Sequence, residues 1–334
     1  MLHSILELIF GIVLVLFSAL AFVNAIEFLG YRFELGSSFV GAILSPLFTS
    51  LPELTVFLVA LLSGVRGGDE IGIGTVFGQP FMASSLSYGL VGLVVLLGYR
   101  CGKRKNPRLR VDKSLSLPYL FVTLLFPLTL IPGFFGGKFV KLAFGLFFLL
   151  SFVVYMKMMY SRRELGTMGE AEEPLLARIA GVDERWKTKL SFIQLALAVL
   201  ILYYGSERLV SAVSKISYAT GISPLGVALV LIPAATAMPE TATALIWGYR
   251  GMDTLSLGSL VGEKILYSTF YPGLGLLFTN WVIDDHAIFS VITTTFVSLI
   301  ILYFINRDEI PWQALVSGIV FFFAYAVFVF ALHR

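Results

Sequence analysis

The stretch TSLPE (residues 49–53) lies in the middle of the second long apolar run of the chain, and a close copy, TAMPE (residues 236–240), lies in the seventh. Each places a hydroxyl, a proline and a carboxylate within five positions. Proline cannot donate a backbone hydrogen bond, and its ring clashes with the carbonyl four residues earlier. Pro52 and Pro239 are therefore expected to free backbone carbonyls. In hydrocarbon, such carbonyls and carboxylates persist only where protein, water or an ion serves them, so both stretches predict an oxygen-rich site for a hard cation such as calcium.

The alternative interpretation of either stretch is a kinked helix whose glutamate extends to the membrane surface. If the second run forms a helix from about residue 36 to about residue 66, Glu53 lies roughly 13 residues, or about 20 Å, from the nearer end. A glutamate side chain does not reach that far. The presence of two such stretches further favours a cation site.

Composition assigns the chain to a class. Of its 334 residues, 57% are hydrophobic and 13% are charged, which leaves too little polar side chain to cover a soluble globule of this size. The sequence therefore predicts an all-α polytopic membrane protein. Ten apolar runs are long enough to span a bilayer, at about residues 3–29, 36–65, 70–99, 115–132, 137–159, 189–216, 221–249, 254–279, 286–305 and 312–332.

The basic residues indicate how these spans are oriented. Lysine and arginine are concentrated in the loops after the third and fifth spans, residues 100–113 and 161–187, and short basic loops stay on the cytoplasmic side. Both termini are then expected outside. Because the net charge of +3 comes from loops that lie against the membrane, it is interpreted as a topology signal and not as a nucleic-acid-binding surface.

An internal duplication organises the chain. Residues of the second span recur in the seventh at one constant offset: Pro46, Thr49, Pro52 and Glu53 pair with Pro233, Thr236, Pro239 and Glu240. Segment 66–80 also aligns with segment 250–264. Each copy contains five spans, and because five is odd the second copy enters the membrane upside down. The sequence thus predicts two inverted five-helix repeats, residues 1–160 and 188–334, joined by a connecting loop, residues 161–187.

The aligned segments add packing and polar positions. Two pairs of glycines four residues apart are expected to let helix backbones approach closely in lipid: Gly74 with Gly78, and Gly258 with Gly262. The polar residue after each pair, Gln79 or Glu263, is expected to face the two carboxylates.

Residues 41–53 and 221–240 resemble the two alpha repeats of the calcium:cation antiporter superfamily, and are most similar to those of prokaryotic sodium/calcium exchangers. The resemblance covers nearly the whole chain and implies a protein of a prokaryotic plasma membrane. It implies that calcium is coordinated by Glu53 and Glu240 and by backbone oxygens of Thr49 and Thr236. It also implies sodium sites formed by nearby hydroxyl and amide groups, including Ser50.

The third and eighth spans depart from the family pattern, which is Gly-Asn-x-x-Gly-Ser-Asn. The departures are Thr75, Gln79, Pro80 and Ala83 in the third span and Ser259, Glu263, Lys264 and Tyr267 in the eighth. Several usual sodium ligands are replaced, and this leaves the coupling ion open. Glu263 adds a third carboxylate. Lys264 brings an ammonium group, which either takes the place of a bound cation or pairs with another acid.

The sequence thus predicts a secondary antiporter that exchanges calcium for sodium at a mid-membrane carboxylate site. Proton-coupled exchange and a cation channel through the same carboxylates are the alternatives, because a buried carboxylate cluster also binds protons. There is no ATP-binding loop, no His-Glu-x-x-His motif and no buried nucleophile with a histidine base, so neither an enzyme nor a cofactor is expected. The expected partners are inorganic cations and the lipid bilayer. The oligomeric state stays open, and a monomer is compatible with the sequence.

Overall fold

A computed structural model describes residues 2–33, 50–162 and 172–332, which are mostly helical. The α-helices, in chain order, are α1 (Leu2–Arg32), α2 (Leu51–Leu62), α3 (Gly68–Met82), α4 (Tyr88–Arg100), α5 (Ser116–Leu125), α6 (Ile131–Phe135), α7 (Lys138–Arg162), α8 (Leu175–Ala180), α9 (Glu184–Thr220), α10 (Pro224–Thr236), α11 (Met238–Arg250), α12 (Asp253–Ser268), α13 (Phe270–Phe278), α14 (Asp285–Ile305) and α15 (Trp312–Leu332). Two short strands, β1 (Arg108–Leu109) and β2 (Ile310–Pro311), pair antiparallel.

Seven helical stretches of the described chain are long and apolar enough to cross a membrane, and the protein is an integral membrane protein. The three other predicted spans, the second, seventh and eighth, are not among these stretches. The first part of the predicted second span, residues 36–49, lies outside the described residues. The seventh is divided at Ala237 and the eighth at Thr269. The count of ten spans therefore stays a prediction.

Pro52 and Pro239 each lie in the first turn of a helix. Pro52 is in the first turn of α2, which follows Ser50. Pro239 is in the first turn of α11, which the single residue Ala237 separates from α10. Proline is tolerated in a first turn because its missing N–H would have no helical partner there. The predicted interruption of the seventh span is confirmed, and Pro239 lies at the start of its second half.

The third and eighth spans are also irregular, at equivalent positions of the aligned segments. In the third, Pro80 near the end of α3 is followed by a π-helical turn, Ala83–Ser87. In the eighth, Thr269 has φ −139° and ψ −72° and separates α12 from α13. A proline removes one helical hydrogen bond, and π-helical turns are common at functional sites. The duplication alone did not predict these irregularities.

The first glycine pair forms a close helix contact. A Cβ at Gly78 would lie 2.4 Å from the carbonyl oxygen of Leu229, and one at Gly74 would lie 2.6 Å from another backbone oxygen of α10. Only glycine lets α3 and α10 approach so closely, which confirms the predicted packing role of this pair. A Cβ added at Gly262 would have no described atom within 4 Å. The role of the second glycine pair therefore stays a prediction.

The two longest helices pack along each other and hold the connecting loop. At their contact, a Cβ at Gly11 of α1 would lie 2.9 Å from the backbone nitrogen of Leu209 in α9. Near the other end of this pair, Asn24 accepts a hydrogen bond of 2.9 Å from the backbone of Leu175. Gln194 accepts a hydrogen bond of 2.8 Å from the backbone of Leu176. These two side chains satisfy N–H groups at the start of α8, which have no helical partners.

A buried ion pair links the basic loop after α4 to the start of α12. Arg104 donates to both carboxylate oxygens of Asp253, at 2.7 and 3.0 Å, and the backbone of Arg110 donates to the same carboxylate at 2.8 Å. Beside it, the β1–β2 ribbon connects this loop to the loop after α14. Hydrogen bonds from Arg108 and Arg110 hold the pKa of Glu309 below its ordinary value. Segments far apart in sequence are thereby fastened together at one end of the helices.

Candidate cation site

The carboxylates of the stretches 49–53 and 236–240 lie in the first turns of two helices. Glu53 belongs to the first turn of α2 and Glu240 to that of α11. A helix N-terminus carries a partial positive charge from its unpaired N–H groups, so a carboxylate is favoured there. Glu53 is only 1% exposed. An ionised group so deeply buried needs partners or an ion.

Gln79 connects side chains from the two halves of the chain. Its amide nitrogen Nε2 donates to Oε1 of Glu53 at 3.2 Å and to Oγ1 of Thr236 at 2.7 Å. Thr236 is the last residue of α10, and its hydroxyl donates to the carbonyl oxygen of Ile232 at 3.2 Å. The end of α10, the start of α2 and the last turn of α3 therefore meet at one point.

Three carboxylates lie within electrostatic range of one another. Glu53 interacts electrostatically with both Glu240 and Glu263, and Glu263 with Glu240. Within the described part of the chain, three buried oxygens at this place have no hydrogen-bond partner: Oε2 of Glu53, Oε1 of Gln79 and Oε2 of Glu240. Buried polar atoms nearly always have partners. A group of acceptor oxygens without donors is the kind of environment that a hard cation satisfies.

Not all of the predicted ligands converge. Among the residues that the structure describes, no three His, Cys, Asp or Glu side chains come close enough together to hold one metal ion. The expectation that Glu263 is a further ligand of the cation therefore stays a prediction. Calcium takes six to eight oxygen ligands, many of them neutral. Backbone, hydroxyl and amide oxygens must therefore complete any site built on Glu53 and Glu240.

The start of α2 has a partner that sequence reasoning missed. Thr49 lies outside the described residues. The carbonyl oxygen of Ser50 accepts hydrogen bonds from the hydroxyl of Tyr271 at 2.7 Å and from the backbone of Leu54 at 3.0 Å. Tyr271 stacks on Tyr267, with ring centroids 4.4 Å apart. The available signal was the pair of tyrosines one helical turn apart in the middle of an apolar run, because membrane tyrosines usually lie at the interfaces.

Lys264 is buried close to this site. It is 1% exposed, and its Nζ donates to Oγ of Ser298 at 3.1 Å. Nζ also lies 4.6 Å from the ring centroid of Tyr88, whose hydroxyl shares a 2.7 Å hydrogen bond with that of Tyr119. No acidic side chain in the described ranges lies within ion-pair distance of Lys264. The predicted alternative of pairing with another acid is not found there.

Known proteins match this chain over nearly its whole length. The family model described as "Sodium/calcium exchanger protein" matches residues 3–161 and 190–333. The putative antiporter CaxA of Alkalimonas amylolytica is 25% identical over 290 residues, which cover 86% of this chain and 84% of that protein.

Two solved structures share the fold. The crystal structure of the H+/Ca2+ exchanger CAX has a TM-score of 0.73 at 16% identity and covers 99% of this chain and 85% of its own. A structure of the sodium-calcium exchanger NCX_Mj has a TM-score of 0.59 at 20% identity and covers 98% of each chain. The family consists of membrane transporters and not of enzymes. Because the family model matches far more than half of the chain, including nearly all of both predicted repeats, this chain belongs to the sodium/calcium exchanger protein family.

Proposed function

We propose that this protein is a secondary antiporter that binds calcium between Glu53 and Glu240 and exchanges it, by alternating access, for sodium. The observation that carries the proposal is the placement of these two carboxylates. They come from different halves of the chain, lie in the first turns of α2 and α11, and are within electrostatic range of each other. Two negative charges match one divalent cation, and carboxylate oxygens suit calcium. Membership of the family supports the same activity.

Neutral oxygens complete the proposed site. Backbone oxygens of Thr49 and Thr236 and the hydroxyl of Ser50 are proposed as further ligands. Gln79 can act as a donor or as a ligand, because rotating its side-chain amide by half a turn exchanges the positions of Nε2 and Oε1. With Nε2 toward the site it donates to Glu53, and with Oε1 toward the site it would coordinate a cation. Glu263 supplies a third negative charge.

The proposed architecture explains how one site reaches both sides. Two inverted repeats of five spans, residues 1–160 and 188–334, would place the half-helices α2 and α11 in opposite orientations across the bilayer midplane. The proposal puts both termini outside and the loops 100–113 and 161–187 in the cytoplasm of a prokaryote. The protein needs no cofactor in this mechanism, since an ion gradient supplies the energy, and a monomer is sufficient.

Proton-coupled exchange is the second candidate. It is favoured because three carboxylates lie close enough to interact electrostatically. Carboxylates bind protons as well as metal ions. It is also favoured by Thr75, Ala83 and Ser259, which stand where the family pattern has or allows amide or acidic side chains. The fold is shared with an H+/Ca2+ exchanger as well as with a sodium-calcium exchanger. A cation channel is the less favoured alternative.

The proposal is tested by calcium uptake into liposomes that contain the purified protein, with an imposed sodium or proton gradient. The variants are Glu53→Gln and Glu240→Gln. The matched control is Glu172→Gln, at an exposed glutamate of the connecting loop. Removing one partner of a buried charge interaction costs about 3–5 kcal/mol, so each site variant should lose more than about 100-fold in calcium affinity.

The control should transport like the wild type. The gradient that drives uptake identifies the coupling ion. A second assay distinguishes exchange from a channel. In an exchanger, unlabelled calcium outside should stimulate the efflux of labelled calcium, and this stimulation should saturate as the outside concentration rises. Uptake at the wild-type rate in either site variant would contradict the proposal.

A further inference from the structure

Four basic side chains lie at one end of the helices without an acidic partner. Arg100 and Arg250 are the last residues of α4 and α11, and Lys103 and Lys105 follow in the loop after α4. All four are exposed. Within the described part of the chain, none of them forms an ion pair. We call these four residues the basic surface.

The backbone brings the basic surface together. A Cβ at Gly98 would lie 2.8 Å from the carbonyl oxygen of Tyr249, so α4 and α11 touch just before Arg100 and Arg250. The loop after α4 then turns back on the helix, because the backbone nitrogen of Lys103 donates to the carbonyl oxygen of Gly98 at 2.9 Å. Two helix ends and one tight turn therefore present their basic side chains side by side.

Acidic side chains of the neighbouring segments pair with other basic residues. Asp253 is bound by Arg104 at 2.7 Å. Glu309 is bound by two arginines of the loop after α4, each at 2.9 Å, and Asp308 is bound by Lys113 at 3.0 Å. These pairs fasten the loop in place and leave the four charges of the basic surface unpaired.

Exposed apolar side chains lie next to the basic surface on the same two helices. On α4, Leu93 and Leu97 are 41% and 52% exposed, and with Arg100 they have the spacing of one helix face. On α11, Ile246 is 51% exposed and lies one turn before Arg250. In a membrane helix, such apolar side chains contact acyl chains and the basic helix end lies at the level of the headgroups. A phosphate ion free in solution would match the charges only, whereas an anionic lipid matches both parts.

We propose that the basic surface binds the phosphate of an anionic phospholipid, whose acyl chains lie along the exposed faces of α4 and α11. Arginine donates two parallel N–H groups to a phosphate, and lysine adds a mobile ammonium group. A cluster of about four to eight basic side chains beside a membrane helix indicates binding of anionic lipids, and each one strengthens the attraction about fivefold. This lipid site is separate from the cation site, although α11 contributes to both, with Glu240 in its first turn and Arg250 at its end.

The test places a reporter next to the basic surface. Cys101 is the one cysteine of the chain and is exposed, so a fluorescent label can be attached there in the full-length protein. The labelled protein is placed in phosphatidylcholine liposomes that contain a small fraction of a quenching lipid. The quenching lipid is phosphatidylglycerol or phosphatidylcholine, each with a nitroxide near the top of one acyl chain. Phosphatidylglycerol should quench the wild type at a lower mole fraction than phosphatidylcholine does.

The test variant combines Arg100→Gln, Lys103→Gln and Lys105→Gln. Loss of three charges should weaken the preference for phosphatidylglycerol by about 100-fold. Arg250→Gln, on the other helix, should weaken it about fivefold. Glycerol 3-phosphate in millimolar amounts should not displace the lipid from the wild type, because it lacks the acyl chains.

A control variant removes three exposed charges elsewhere, by combining Arg178→Gln, Arg185→Gln and Lys189→Gln. It should keep the preference of the wild type within about twofold. Equal quenching of the wild type by both lipids overturns the proposal, whether or not any variant folds. An undiminished preference in the test variant, or an equal loss in test and control variants, also overturns it. Displacement by glycerol 3-phosphate overturns the assignment to a lipid.

Discussion

Replacement of Gly78 by alanine tests whether the close contact between α3 and α10 positions the site. The new Cβ would lie 2.4 Å from the carbonyl oxygen of Leu229, whereas ordinary contact begins at about 3.4 Å. The two helices would therefore have to separate by about 1 Å. Gln79, the next residue, donates to Thr236 of the same α10 at 2.7 Å. A separation of about 1 Å lengthens that hydrogen bond to beyond about 3.5 Å, where it is no longer effective.

The expected cost is substantial in function and moderate in stability. Overpacking costs about 1–3 kcal/mol, of which alanine recovers up to about 1 kcal/mol through its higher helix propensity. In enzymes, a displacement of about 1 Å at the reacting site reduces turnover by up to about 100-fold. By analogy, calcium uptake by Gly78→Ala should fall by about 10- to 100-fold. Gly72→Ala is the matched control on the same helix, because its Cβ meets only side-chain atoms, at 3.2 Å or more.

The assay is calcium uptake into liposomes with equal amounts of each protein, together with thermal unfolding in detergent. The control should stay within about twofold of the wild type. Wild-type uptake by Gly78→Ala, with an unchanged unfolding midpoint, would refute the view that this helix contact sets the geometry of the site.

Three further predictions concern the surroundings of the site. Tyr271→Phe removes the hydroxyl that donates to the backbone at the start of α2 and should lower the free energy of unfolding by about 1–2 kcal/mol; an unchanged unfolding midpoint would contradict this. Arg104→Ala leaves Asp253 buried without the guanidinium and should cost about 3–5 kcal/mol, whereas Arg108→Ala, at an exposed pair, should cost less than about 1 kcal/mol; equal losses would argue against the role of burial. The folded pKa of Glu309 is lowered from 4.5, so its contribution to stability is present above pH 4.5 and is lost as the pH falls through the lower folded pKa. In an NMR titration Arg108→Ala should raise this pKa toward 4.5, and an unaltered titration curve would refute the assignment.

The membrane class and the interruption of the seventh span could be predicted because they follow from local chemistry. A proline within an apolar run has the same effect on backbone hydrogen bonding wherever the run packs. The packing role of Gly74 and Gly78 could be predicted in the same way, because small residues one turn apart in a membrane helix indicate a close helix contact. The family resemblance came from residues 41–53 and 221–240, which include both proline–glutamate pairs.

The partners of individual side chains could not be predicted, because they depend on packing between distant segments. Gln79 was expected near the carboxylates, but its donation to both Glu53 and Thr236 depends on how far α3 approaches α10. Tyr271 and the aromatic contacts of Lys264 join residues that no sequence period connects. The duplication predicted equivalent roles for Gln79 and Glu263, yet an amide and a carboxylate at equivalent positions make the two halves electrostatically unequal.

The central claim is that Glu53 and Glu240 bind the same calcium ion. Calorimetric titration of calcium into the purified wild type, Glu53→Gln, Glu240→Gln and the double variant tests it most directly. If both carboxylates bind one ion, each single change should abolish most of the affinity. The double variant should then lose less than the sum of the two, by more than about 1 kcal/mol. Additive losses, or a calcium ion still bound at wild-type affinity in either single variant, would contradict the claim.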